Sequence, residues 1–108
     1  MTNILSCEDL AIRLDKKLID PQRQLLRAAR SIPALLAEGY AKKSSQKEFL
    51  RYILMSLGSA DEVQTHLQLI MESRFNTLDR SIFLTLLDEY GLLARKLNCL
   101  HQTISSNI

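Results

Sequence analysis

Apolar side chains along this chain recur three and four residues apart, a spacing that lays them along one face of an α-helix. Polar stretches interrupt the recurrence, so the pattern divides into four helices. In SCEDLAIRLDKKLI, residues 6–19, Leu10, Leu14 and Leu18 fall four apart with Ile19 adjoining, and charges occupy the remaining surface. This predicts a short first helix. Asp20 then offers an N-cap oxygen to a second helix that has Pro21 at its first position, where a missing N–H costs nothing. That helix is expected from Pro21 to about Glu38, on a stripe of Leu25, Ala29, Ile32 and Leu36 widened by Leu26, Ala28, Pro33, Leu35 and Ala37. Gly39 can take the left-handed conformation that closes a helix, and the polar YAKKSS follows as a connection.

The longest recurrence comes next. Ser45 and Glu48 form a capping-box pattern, with Ser44 as the alternative cap, and lead into Phe49, Ile53, Ser56, Ala60, Val63, Leu67 and Ile70. After the polar ESRFNTLD, a fourth helix begins near Asn76 to Asp79 and carries Ile82, Leu86, Leu93, Leu97, Leu100 and Ile104. Glu89 stands at a seam position with Tyr90 beside it, and the terminal SSNI is expected to fray. The reading is all-α: a single domain over residues 1–108, an up-and-down antiparallel four-helix bundle with a short first helix. A first helix that short leaves apolar surface which self-association could bury.

Pro33 sits inside the second helix, where its ring crowds the preceding turn and it cannot donate to the Ala29 carbonyl, so a bend is expected there. Gly58 gives up about 1 kcal/mol of helix propensity relative to alanine, and either a close-packed neighbour or simple tolerance explains it. Gly91 has the same two readings.

Composition narrows the class. The 108 residues are 46% hydrophobic and 24% charged, with three glycines, two prolines and no tryptophan, as in a helix-rich globular chain. Met1 to Leu5 does not read as a signal, and ILMSLGSA and IFLTLL fall far short of the roughly 20 apolar residues of a membrane span. Cys7 and Cys99 read as reduced, part-buried thiols rather than a disulfide, which fits a cytoplasmic protein.

The net charge of +2 conceals a basic middle: residues 21–51 carry seven bases, Arg23, Arg27, Arg30, Lys42, Lys43, Lys47 and Arg51, against Glu38 and Glu48. Arg23, Arg27 and Arg30 share one helical face, Lys47 and Arg51 another, and all seven could converge at one end and side of the domain. Two readings stand. The bases hold phosphates without base selectivity, or they form a solvated face with surface or intersubunit ion pairs. Glu38, an acid in the last turn of a helix, needs a partner, for which Lys42, Arg51 or a neighbouring subunit are the candidates. Chemistry is otherwise sparse. His66 and His101 are isolated, Asp61-Glu62 and Asp88-Glu89 are adjacent residues pointing apart, Ser31 and Ser59 have no evident base, and no metal spacing or phosphate loop occurs.

The stretch QLLRAARSIPALLAEGYAKKSSQKEFLRYILMSLGSADEVQTHLQLI, residues 24–70, resembles the small four-helix-bundle proteins related to those encoded in bacterial 23S ribosomal RNA intervening sequences. RAARSIPALLAEG, KEFLRY and LGSADEVQTHL carry most of the likeness. The resemblance implies an up-and-down bundle in a ring-like homo-oligomer, often a pentamer, without enzymatic activity. The accessory proteins of diversity-generating retroelements look like distant members that associate with reverse transcriptase and nucleic acid. Under this resemblance Arg27, Arg30, Lys42, Lys43 and Arg51 are the polyanion contacts, and Ser31, Pro33, Glu38, Gly39, Gly58, Ser59 and Glu62 match the architectural signature. The chain departs from the pattern at Leu35, where the family commonly has asparagine, and at Lys42 and Lys43, which stand for the usual arginine and lack its bidentate fork.

The resulting expectation is a non-enzymatic homo-oligomer that binds RNA, DNA or a hybrid through its basic surface, as an accessory to a reverse transcriptase, without cofactor, metal or membrane. A structural protein-interaction module that binds no nucleic acid is the alternative.

Overall fold

The computed structural model describes residues 6–106, and the expectations for Met1–Leu5 and for the last two residues lie outside them. Its helices are α1 (Cys7–Arg13), α2 (Ile19–Ala41), α3 (Gln46–Met71) and α4 (Arg80–Ser105), with a 3-10 turn over Lys16–Leu18. No strand occurs among the described residues.

The N-terminal segment is shorter and more broken than its leucine spacing suggests. Ser6 accepts from the Asp9 N–H and Asp9 answers to the Ser6 N–H, a reciprocal cap that starts α1. Leu14 then turns extended, and the Asp15 side chain takes the Lys17 N–H at 2.8 Å. That short bond competes with helix continuation and converts the rest of the segment into the 3-10 turn. The turn still buries Leu18, and it runs straight into α2. Asp20 is therefore no N-cap. It lies in the first turn, where its charge opposes the positive helix end, and Pro21 falls among the first-turn residues whose N–H groups have no partner in any case.

At the other end α2 passes Glu38 and Gly39 and closes at Ala41, with the Lys42 N–H shared between the Glu38 and Gly39 carbonyls. Gly39 is helical, since no described residue has a positive φ. Its glycine serves a different need: a Cβ there would lie 2.7 Å from Tyr52 Cβ, because α2 and α3 approach closely at this point. Pro33 lies within the continuous α2, on its exposed side.

Ser45, not Ser44, caps α3 by accepting the Glu48 N–H, but the Glu48 carboxylate turns to Arg51 instead of closing a capping box. Ile53, Ser56, Ala60, Val63, Leu67 and Ile70 form the buried seam as their spacing predicts. Gly58 does not pack: nothing lies within 4 Å of the Cβ it lacks. At Gly91 a Cβ would make ordinary contact with Gln64. Asn76 braces the α3–α4 connection, bonding the Met71 and Leu78 carbonyls and accepting the Leu78 N–H. In α4 the buried line is Phe83, Leu86 and Leu97 with Tyr90 and Leu93 partly covered, while Glu89 and Leu100 are exposed. Phe83 and Tyr90 thus hold seam places outside the line that the spacing of Ile82, Leu86, Leu93 and Leu97 predicts.

The three long helices run alternately up and down. Arg27 meets Glu62, Ser31 meets Ser59 and Glu38 meets Tyr52, so each step up α2 is matched by a step down α3. Gln46 at the start of α3 bonds the Ile104 carbonyl near the end of α4, which sets that pair antiparallel as well. Between the parallel α2 and α4 lies a groove that α1 fills only in part. Gln22 holds the Ala11 carbonyl, Glu8 faces Arg30, and Cys7 is buried in the core against which Tyr90 packs. Above Ser6 the groove stays open over about 450 Å³, with Ile32, Pro33 and Leu93 among its walls and Glu89 beside them. Cys7 and Cys99 are both free thiols, the first buried and the second exposed.

Candidate nucleic-acid interface

The seven basic residues separate into two groups. Arg23, Arg27 and Arg30 occupy the first half of α2, and Lys42 lies twelve residues beyond Arg30, roughly 18 Å at 1.5 Å per residue. Lys42, Lys43, Lys47 and Arg51 gather around the turn between α2 and α3.

Within the first group, charge is largely spoken for by the protein's own acids. Arg27 Nη2 donates to Glu62 Oε2 at 3.1 Å and to Gln24 Oε1 at 2.9 Å, which ties α2 to α3. Arg30 grips Glu8 with two parallel bonds of 2.7 and 2.8 Å, which pins α1 onto α2. That fork holds the Glu8 carboxyl below its ordinary value and raises Arg30. Arg27 and Arg30 therefore turn to different neighbours, and Arg23 is exposed. Surface pairs of this kind add little to stability, but each fixes where its guanidinium points.

The turn group is arranged around two tyrosines. Lys42 Nζ donates to Tyr52 OH at 3.3 Å, and that hydroxyl donates to Glu38 Oε2 at 3.2 Å. Tyr52 is thus the partner that Glu38 needs at the end of α2, reached by neither Lys42 nor Arg51 directly. The Lys42 ammonium and the Arg51 guanidinium also stand over the Tyr52 ring, at 5.2 and 4.8 Å from its centroid. Arg51 bonds Glu48 at 3.1 Å, which lowers the Glu48 carboxyl, with Lys42 and Lys47 adding to the effect through space. Lys43 Nζ sits 3.9 Å from the centroid of Tyr40, whose side chain is 62% exposed. Among the described residues no ion pair takes Lys42, Lys43 or Lys47. Beside the turn, Lys47 and Arg51 wall a groove of about 480 Å³ floored by Leu50 and Leu54.

Spacing alone had missed both tyrosines. Tyr52 flanks the α3 seam, and Tyr40 opens the YAKKSS stretch, whose polarity suggests a connection although α2 continues through Ala41. The signal available was the local order of GYAKK, which puts an aromatic three residues before a lysine; in the turn that closes α2 the Lys43 N–H donates to the Tyr40 carbonyl and brings the two side chains together.

Most signature residues line the α2–α3 seam. Ser31 Oγ lies 2.8 Å from the Ala28 carbonyl and 2.7 Å from Ser59 Oγ, so Ser31 donates to the carbonyl and accepts from Ser59. Glu38 and Gly39 meet Tyr52, and Glu62 meets Arg27. Pro33 faces the open groove, and Gly58 faces outward. His66 has Glu62 at 4.0 Å, and no cluster of three metal-ligating side chains occurs among the described residues. None of their helices is long and apolar enough to cross a membrane.

The architecture defines a small all-α bundle protein with antiparallel long helices, a polar-bridged α2–α3 seam and a basic, tyrosine-bearing turn. Residues 10–99 match the family described as 23S rRNA-intervening sequence protein, and the chain belongs to that family. No curated protein and no solved structure matches it.

Proposed function

We propose that this protein is a non-enzymatic, homo-oligomeric bundle that binds nucleic acid through the α2–α3 turn. The observation that carries this reading is the clustering of Lys42, Lys43 and Lys47 without ion-pair partners among the described residues, next to Arg51. Arg27 and Arg30 contribute less, because binding phosphate there means giving up Glu62 and Glu8. Repetition of the turn on identical subunits multiplies a weak electrostatic contact, and a ring such as a pentamer supplies that repetition. Association with a reverse transcriptase is the finer form of the proposal, and co-purification of such an enzyme with the protein from its own cells tests it.

Binding of labelled RNA and DNA at two salt concentrations tests the central claim. Replacement of Lys42, Lys43 and Lys47 by glutamine should lower affinity and flatten the salt dependence by roughly 0.7 to 0.9 log units per lost phosphate contact. Arg27→Gln with Arg30→Gln should change it much less. A folded lysine variant that binds like the wild type refutes the reading. The ion pairs of Arg27 and Arg30 favour a second one, a structural module that holds a protein partner, under which the wild type binds neither RNA nor DNA.

A further inference from the structure

Tyr40 is out of place in a simple phosphate-binding surface. It is a large ring on the last turn of α2, mostly exposed, in a protein that keeps its other two tyrosines buried or half-buried. No core contact accounts for it. Lys43 lies over the ring at 3.9 Å, so the ring is already used as a face for a flat or cationic neighbour. Around the same turn stand Lys42, Lys47 and Arg51, and the neighbouring groove has an apolar floor of Leu50 and Leu54 between basic walls. Phosphate-sized charge and base-sized apolar surface thus alternate over one end of the bundle.

A nucleotide with an unpaired base presents that same alternation. In a duplex the base faces are covered by stacking, and only phosphates and edges are offered to a protein. An exposed tyrosine then gains nothing. With a single strand the ring has a face to stack on, while the lysines take the flanking phosphates. Building on the nucleic-acid reading above, we propose that the α2–α3 turn selects single-stranded nucleic acid, with Tyr40 as the stacking platform for one base and Lys42, Lys43 and Lys47 as phosphate contacts.

The test compares a fluorescein-labelled oligothymidylate with a duplex of the same length, using the full chain and its Tyr40→Ala, Tyr40→Phe and lysine-to-glutamine variants. Far-ultraviolet circular dichroism checks that each variant folds, which the exposure of Tyr40 favours. The wild type should prefer the single strand. Tyr40→Ala should weaken single-strand binding roughly 5- to 150-fold, the range expected for one lost base–aromatic stack, and leave duplex binding unchanged. Tyr40→Phe should retain the affinity. With no tryptophan and three tyrosines, the protein also reports stacking directly: oligothymidylate should quench tyrosine emission in the wild type and quench far less in Tyr40→Phe. If Tyr40→Ala binds like the wild type while the lysine variant loses both ligands, the stacking inference fails and the nucleic-acid reading stands. Equal competition by polyglutamate of matched charge also overturns the inference, since it marks a surface that reads charge alone. Absence of any nucleic-acid binding by the wild type overturns both.

Discussion

Gly39→Ala sets two effects of opposite sign against each other. Alanine is the better helix former by about 1 kcal/mol, so in an open helix the change stabilises. At Gly39 the new methyl would lie 2.7 Å from Tyr52 Cβ, whereas carbon atoms rest about 3.5–4.0 Å apart. The atom in the way is attached directly to the α3 backbone, so no side-chain rotation relieves the overlap and the two helices must separate by nearly 1 Å. Separation loosens the Lys42–Tyr52–Glu38 bonds as well. Overpacking of this kind costs about 1–3 kcal/mol, and the tight, backbone-proximal contact places it at the upper end. The net expectation is a loss of about 1–2 kcal/mol. Gly58→Ala is the matched control, because its methyl meets nothing within 4 Å and should stabilise by up to about 1 kcal/mol. Urea unfolding followed by circular dichroism, at one protomer concentration for all variants, measures the difference between them. A Gly39→Ala protein as stable as Gly58→Ala would refute the close-approach explanation of Gly39.

Further outcomes follow from the caps and titrating groups. Ser45→Ala removes the side-chain acceptor at the start of α3 and should destabilise by about 1 kcal/mol in the same urea assay. Burial raises the Cys7 thiol and the Tyr90 hydroxyl above their ordinary values of 9.0 and 10.0, so the folded state holds protons that the unfolded state releases in alkali. Stability from this pair is full below about pH 9 and falls as pH rises beyond it, and Tyr90→Phe should make the fall shallower. At the acid end Arg30 and Arg51 hold the Glu8 and Glu48 carboxyls below 4.5, so their contribution is present above that pH and lost below it. Glu8→Gln should reduce the acid sensitivity of the urea midpoint in low salt and hardly alter it in 1 M salt, where the pair is screened.

Helix number, the α3 seam and the Ser45 cap were legible because each rests on near neighbours in the chain. Ile53, Ala60, Val63 and Leu67 need only the helical repeat to share a face, and Ser45 needs only Glu48 three residues on. The basic residues could be named on the same ground. Their grouping could not, since Arg27 and Arg30 are drawn to Glu62 and Glu8, residues distant in the chain that packing brings within about 3 Å.

The glycines show the division most plainly. A glycine near a helix end satisfies a left-handed cap, a close approach or nothing at all, and local sequence looks the same in each case. Gly39 lies under Tyr52 only because α2 and α3 pair in one register, and Gly58 lies open only because no other helix crosses it in this chain. Likewise Asp15 broke an apparently continuous leucine stripe through one short side-chain bond, which freed Leu18 to turn into the core. Periodicity and caps belong to the chain because they act over three or four residues. Register, ion-pair choice and the company of Tyr40 and Tyr52 belong to the fold, because they require elements far apart in sequence to meet.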